Sequence, residues 1–463
     1  MSEPRKNESI ILQITDINNL GSGISHLDDG RVVFVRGAVT GDKIEAKIIK
    51  INSSYAVARL EKLLEGSDMR CDDTCEARES CGGCVFRHIN YEYEKQIKKN
   101  HVKHAFIKAG LPDVKINDVH STENIYGYRN KAQYPFAMTK DGVCAGFYAL
   151  KSHNVIPAVN CALQPSVFGD ILESVCAFAN ENSWSVYDEN SGSGLLRHLY
   201  LRMGQSTGQI MFCLVINGDS LPCESDFVAY MTEKYPEIVS VQINKNKKNT
   251  NVVLGEEYRV LFGKSYIEDV LCGRRFRITP ESFYQVNHDG AELLYGLAKQ
   301  KATDGKNEKI RLVDLYCGTG TIGLSMADAA RELVGVEIVE GAVECAKINA
   351  EINGVENAEF YAGDAKDIES LILSVERARG KLSPDVVILD PPRKGCSSEV
   401  IEFLAKREIE RIVYVSCDPD TLARDCAHFG KLGYTIGDVD PVDMFPRTGH
   451  VESVVCLTRT FNN

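Results

Sequence analysis

Three stretches of this sequence carry residues able to do covalent, acid–base or metal chemistry. In YVSCDP (414–419) a thiol, Cys417, stands where an apolar run ends, and Asp418 and Pro419 follow it. Asp is a good N-cap and Pro suits the first helical position, so a helix is expected to open there. The free N–H groups and dipole at such an end favour a thiolate, which makes Cys417 a candidate nucleophile. GHVESVV (449–455) supplies a carboxylate, Glu452, on a strand-like run just after a loop containing Pro446 and Gly449. Taken alone, that Glu reads as a surface residue; it becomes a candidate proton acceptor only if the chemistry demands one. CDDTCEARESCGGC (71–84) holds Cys71, Cys75, Cys81 and Cys84. Their spacing admits a structural zinc site, or a cluster held by three of them and a distant thiol. Unligated, so dense a group in a polar loop would oxidise.

A second set of residues points to a cofactor. DLYCGTGTIG contains G-x-G-x-x-G at Gly318, Gly320 and Gly323, which lets a backbone turn approach a ligand closely. Glu337 follows at the spacing that grips ribose hydroxyls. A nicotinamide dinucleotide or S-adenosylmethionine satisfies both. ILDPPRKG resembles the (D/N)-P-P motif of S-adenosylmethionine methyltransferases, with Asp390 as its acid. Enzymes that methylate an exocyclic base amine carry an aromatic residue after the two prolines, and Arg393 in that place argues against amine chemistry. Carbon 5 of uracil is a poor nucleophile until a thiolate adds to carbon 6, after which a base must remove the carbon-5 proton. Cys417 and Glu452 meet that demand.

The elements that must position these groups are legible in outline. From about residue 308 the sequence alternates apolar strands with helices, the pattern of a doubly wound parallel sheet covered on both faces. Asp314, Glu337, Asp364, Asp390 and Cys417 all fall at strand ends, where ligands gather in such sheets. Short β-runs in residues 8–63 predict a small barrel. A helix is expected from about Tyr91 to Ala109, and residues 113–270 read as α+β. Within them, 166–180 is expected helical, and 234–256 is expected to form two strands joined by a basic, Asn-rich turn. The expected units are a barrel over 1–66, a central α+β domain over 67–275 and a Rossmann-like domain over 276–463.

The chain has 463 residues and a net charge of −12, which at first opposes nucleic acid as a partner. Residues 1–110 nevertheless carry 17 Lys and Arg against 16 Asp and Glu, so the acidic excess lies in the remaining 36 against 49. Basic clusters occur at Lys95, Lys98, Lys99 and Lys103, at Lys245, Lys247 and Lys248, and at Arg274, Arg275 and Arg277. A local basic surface suffices for RNA. The polar start, the absence of a run of roughly 20 apolar residues and the 16 scattered cysteines predict a cytoplasmic protein of a reducing compartment.

YRNK (128–131), SHNVIPAVNCALQP (152–165), PESFYQVN (280–287), DLYCGTG (314–320), LDPPRKG (389–395), SCDP (416–419) and GHVESV (449–454) occur in the order found in one family. Together they resemble the RNA uracil-5-methyltransferases, closest to the bacterial 23S ribosomal RNA type, and the first 60-odd residues resemble the RNA-binding TRAM module. The resemblance implies methylation of a uridine at carbon 5, with Cys417 as nucleophile and Glu452 as base. It implies S-adenosylmethionine contacts from Gln285, Tyr316, Glu337 and Asp390, with Gly318, Gly320, Thr321 and Asp364 beside them. It also implies a [4Fe–4S] cluster on Cys75, Cys81, Cys84 and Cys161, zinc being the alternative, with Cys71 spare. The expected partner is 23S ribosomal RNA, without membrane or stable protein partner, because transfer-RNA members generally lack the TRAM module and the cluster. The same reaction on transfer RNA, a nicotinamide-dependent oxidoreductase and a non-catalytic RNA-binding protein are the rivals. One departure is Asp418, where the family more often has Asn; a carboxylate beside the thiol opposes its ionisation. Arg129 and Lys131 are expected at phosphates; Tyr126, Tyr128 and Trp184 could stack bases, packing being the stronger expectation for Trp184, and His450 either orients the catalytic loop or is a structural histidine.

Overall fold

The computed structural model describes residues 5–78, 80–363, 370, 372–373, 376–377 and 383–460, so Asp364 lies outside the described residues. The first six strands are β1 (Ser9–Gln13), β2 (Asp16–Ile17), β3 (Ser22–His26), β4 (Val32–Arg36), β5 (Lys43–Ile51) and β6 (Tyr55–Glu65). Every second residue of β4 and β5 turns inward, and Val33, Val35, Ile44 and Ala46 are fully buried. The sheet order is β1-β5-β6-β4-β3-β2. Its two ends, β1 and β2, are consecutive in the chain, so one segment pairs with both β5 and β3 and the sheet closes into the expected barrel.

After the cysteine loop comes α1 (Tyr91–Lys108), capped by Asn90, whose side chain accepts the Tyr93 N–H at 2.9 Å. A mixed sheet follows, built from β7 (Lys131–Thr139), β8 (Gly142–Tyr148), β9 (Val155–Pro157), β10 (Leu196–Met203), β11 (Ile210–Ile216), β12 (Ile238–Lys245) and β13 (Glu257–Gly263). Helices α2 (Ser166–Glu181) and α3 (Glu224–Lys234) pack on it around Phe168, Phe212, Phe227 and Trp184, which makes Trp184 a core residue. The strand expected before residue 256 is displaced to β13. Arg197 donates to the carbonyls of Asn246, Lys248 and Thr250, so the intervening segment bonds to a side chain instead of a neighbouring strand.

The hairpin β14 (Ile267–Leu271) and β15 (Arg274–Ile278) leads to α4 (His288–Thr303). Then come β16 (Ile310–Leu315), α5 (Thr321–Ser325), β17 (Ala330–Glu337), α6 (Glu340–Ile352), β18 (Ala358–Ala362) and β19 (Val386–Leu389). The chain continues through α7 (Ser398–Lys406), β20 (Arg411–Ser416), α8 (Pro419–Lys431), β21 (Tyr434–Val442) and β22 (Glu452–Arg459). The sheet order is β18-β17-β16-β19-β20-β22-β21, parallel except for β22, which runs antiparallel to both neighbours. Order reverses between β16 and β19, the switch point where a doubly wound sheet opens a crevice.

The three parts are not laid out in simple succession. Val102, Ala105 and Phe106 of α1 share an apolar core with Leu422, Ala423 and Phe429 of α8, although α1 was expected to belong with the central part. The barrel meets the loop before β22 backbone to backbone. A Cβ on Gly449 would lie 1.9 Å from the Asn19 carbonyl oxygen, and one on Gly21, which has φ +73°, would lie 2.4 Å from that of Val85. Only glycine fits at such distances.

Candidate active site

The crevice at the switch point is a cavity of about 740 Å³. Each strand end delivers one side of its wall. Tyr316 follows β16 at φ +66°, a left-handed conformation that a bulky residue adopts only when its surroundings impose it. Gly320, at φ +80°, ends the turn and starts α5. It does not reach the wall; its place in the turn, not contact, is what it contributes. Gly318 and Thr321 do line the cavity, with Gln285, Glu337 and Asp390. Glu337 is held rigidly: its carboxylate accepts N–H groups from Gly318 at 3.0 Å, Ile338 at 2.8 Å and Val339 at 3.0 Å. Beneath the turn Asp314 is fully buried and accepts the Gly323 N–H at 2.9 Å, so it shapes the loop from below.

Cys417 and Glu452 come together on the same wall. The antiparallel register that pairs Ser416 with Ser453 leaves them at adjoining positions at the end of that ladder. Asp418 caps α8 as expected, accepting the Thr421 N–H at 3.0 Å, an arrangement worth about 1 kcal/mol to the helix. The thiol is nevertheless not poised as a thiolate. Burial pushes Cys417 up to about 11, with further upward pushes from Glu452 and Asp390, a downward pull from Arg393 and a last, small upward push from Asp418. Loss of water around the sulfur thus opposes the thiolate that the helix end favours. Burial likewise lifts Glu452 to about 8, with Asp390 adding to the rise and Arg393 opposing it, and lifts Asp390 to about 7.

The cavity fits the expected sulfonium cofactor. Its size is that of a pocket for a small organic ligand. Ile322, Val336, Ile338 and Pro391 give it apolar surface, and its carboxyl groups stand at the strand ends. Several lining residues carried no expected cofactor or catalytic role: Phe283, Phe445, Arg393, Lys394, Ser397 and His450, together with Lys131. Phe283 is 65 % exposed in the polar loop that precedes Gln285. Its position two residues before Gln285 was the available signal.

The cysteine loop presents a different picture. Among the described residues, no group of three or more His, Cys, Asp or Glu side chains is arranged to hold a metal ion, so the expected set of Cys75, Cys81, Cys84 and Cys161 does not stand assembled. Three of the four are neighbours all the same. Cys84 is pushed up to about 12 by burial and then by Cys161, with Arg87 and Arg129 opposing, and Cys161 is raised by burial and by Cys81. The Gly83 N–H donates to Cys81 Sγ at 3.4 Å, and the N–H groups of Leu163 and Gln164 donate to Cys161. Cys71, spare in the expected set, donates to the carbonyls of Arg87 at 3.2 Å and Ile89 at 3.1 Å. Among the described residues, no helix is long and apolar enough to cross a membrane.

Known proteins resemble the chain along nearly its whole length. The family described as tRNA (Uracil-5-)-methyltransferase matches residues 237–460, and the TRAM domain matches residues 7–60. An uncharacterized RNA methyltransferase of Clostridium tetani is 40 % identical over 454 residues, covering 98 % of this chain and 97 % of the relative. Another, from Gloeobacter violaceus, is 36 % identical over 455 residues, covering 98 % and 97 %. Among solved structures, Pyrococcus abyssi tRNA (uracil-54, C5)-methyltransferase in complex with S-adenosyl-L-homocysteine matches with a TM-score of 0.76 at 27 % identity. That match covers 97 % of this chain and 100 % of the other.

Proposed function

The chain belongs to the S-adenosylmethionine-dependent RNA (uracil-5-)-methyltransferases and carries an N-terminal TRAM domain, and from that premise we propose that it methylates carbon 5 of a uridine in 23S ribosomal RNA through a covalent adduct. The observation that carries the reading is the convergence of Cys417 and Glu452 on the wall of the strand-end cavity. In the proposed sequence Cys417 loses its proton to solvent, Glu452 staying a carboxylate, and the sulfur adds to carbon 6, which makes carbon 5 nucleophilic. When bound, S-adenosylmethionine supplies the electrophilic methyl group. Glu452, as carboxylate, then takes the carbon-5 proton; the C–H electron pair restores the ring double bond, and the carbon–sulfur bond breaks. Gln285, Tyr316, Gly318, Thr321, Glu337 and Asp390 are proposed to hold the cofactor, with Gly320 shaping the turn.

The other proposed details follow the same reading. The barrel over 1–66 and the central unit over 67–275 are assigned to RNA handling in the cytoplasm, and the unit over 276–463 to catalysis. A [4Fe–4S] cluster on Cys75, Cys81, Cys84 and Cys161 is supported by donor chemistry: N–H groups directed at thiol sulfurs are the setting in which such clusters are held. Iron content and visible absorption of anaerobically purified protein test it, and one equivalent of zinc without iron would overturn it.

A second reading, the same reaction on transfer RNA, is favoured by the Pyrococcus abyssi enzyme, which acts on a transfer RNA and matches this chain from end to end. Mapping 5-methyluridine in both RNA classes from a deletion strain separates the two. Loss confined to transfer RNA would overturn the ribosomal assignment.

A further inference from the structure

The loop from Asp443 to His450 leads directly into Glu452 and carries Phe445 and His450 to the cavity wall. A buried ion cluster, used by no step above, holds this loop from outside the sheet. Lys98 of α1 is 1 % exposed, and its ammonium donates to Glu94 Oε1 at 2.7 Å, to Asp443 Oδ1 at 2.7 Å and to the Phe445 carbonyl at 3.2 Å. Glu94 in turn accepts the Arg447 N–H at 2.7 Å and its guanidinium at 3.4 Å. Tyr91 donates to the other oxygen of Asp443 at 3.0 Å. The Arg447 carbonyl receives the N–H groups of Val85 and Phe86 at 3.0 and 3.1 Å, which ties the end of the cysteine loop to the same point.

Two cations and two anions are balanced here, all more than nine-tenths buried. A balanced buried set of this kind is rarely more stabilising than well-packed apolar side chains of similar size; what it adds is direction. Each bond in this cluster ends on the loop or on a residue that grips it. Arg447 keeps φ +70°, a conformation that a residue with a side chain adopts only under such restraint. Asp443 directly follows Val442, which is the ladder partner of Glu452. The cluster is thus fixed one residue away from the strand position opposite the proposed base.

We propose that Lys98 and Asp443, with Glu94 and Arg447, are positioning residues that fix the Asp443–His450 loop and thereby aim Glu452 at carbon 5 of the uridine. This rests on the reading of Glu452 as the base. The cluster acts on adduct resolution, so loosening it slows release of Cys417 while leaving cofactor binding and adduct formation intact.

The test uses full-length Lys98→Met and Asp443→Asn, the second a near-isosteric change chosen to fold where the first does not. S-adenosylmethionine affinity, the rate of covalent complex formation with substrate RNA, kcat, and the covalent fraction at steady state are measured for each. Cofactor affinity and adduct formation within about twofold of wild type, with kcat down by about tenfold or more and a raised covalent fraction, are the expected result. A folded variant turning over like wild type overturns the proposal, as does a variant in which cofactor affinity and adduct formation fall together with kcat. If the wild type itself forms no covalent complex, the proposed mechanism falls and this inference with it. If only the variants behave like wild type, the mechanism stands and the inference alone fails.

Discussion

Cys417 and Cys84 are both thiols lifted by burial, to about 11 and about 12, yet the two regions around them are built by opposite means. Cys417 is the residue after a fully buried parallel strand, its place set by ladder registers on both sides of β20. Cys84 lies in a loop of turns and isolated bridges, such as Arg70 with Ile89 and Cys81 with Ala149. The sheet presents its sulfur in finished form. The loop brings Cys81 and Cys84 near Cys161, and among the described residues no metal-holding group is closed. Backbone hydrogen bonding fixes the proposed nucleophile in advance; a loop leaves the final arrangement to whatever it binds.

Substitutions can break or sharpen this contrast. The largest effect is expected for Cys417→Ala: a loss of kcat of roughly 10⁴-fold or more, and no gel-stable complex with 5-fluorouridine RNA, because no other group supplies the addition. A variant that still forms the complex would remove Cys417 from the mechanism. Glu452→Gln is expected to cost about 10² to 10⁴ in kcat and to trap covalent RNA on denaturing gels; clean rapid turnover would refute its role.

Arg393→Ala tests the electrostatics. The proposed base must be deprotonated, and burial lifts Glu452 to about 8, so the rate should rise with pH through that region. Arg393 holds both Glu452 and Cys417 down, so its removal should move the rise to higher pH by roughly one unit. A downward or absent shift in the kcat–pH profile would reject this account. The smallest effect on chemistry is expected from Cys84→Ser: bound iron and visible absorption are lost, while cofactor affinity stays within about twofold. A collapse of cofactor affinity would instead make the cysteine loop part of the donor pocket.

The catalytic sheet was legible because buried parallel strands read as unbroken apolar runs, and the ends of those runs coincide with Glu337, Asp390 and Cys417. The state of those groups was not. Desolvation sums over neighbours that only the fold assembles, and it opposes the thiolate that the helix end favours. Strand β13 was misplaced because side chains of Arg197, Asn244 and Asn246 take up the backbone groups of the loop before it. The allegiance of α1 was hidden too, since the ion pair that joins it to the catalytic loop links Lys98 to Asp443, 345 positions away.

The contact of Gly449 with Asn19, and of Gly21 with Val85, changes what the N-terminal barrel can be taken for. A module that merely gripped RNA could be removed and leave a smaller working enzyme. Here Asn19 of the barrel packs against Gly449, on the segment that delivers the proposed base. A truncated protein would therefore be a poor stand-in for the whole, even with every chemical group still in its sequence.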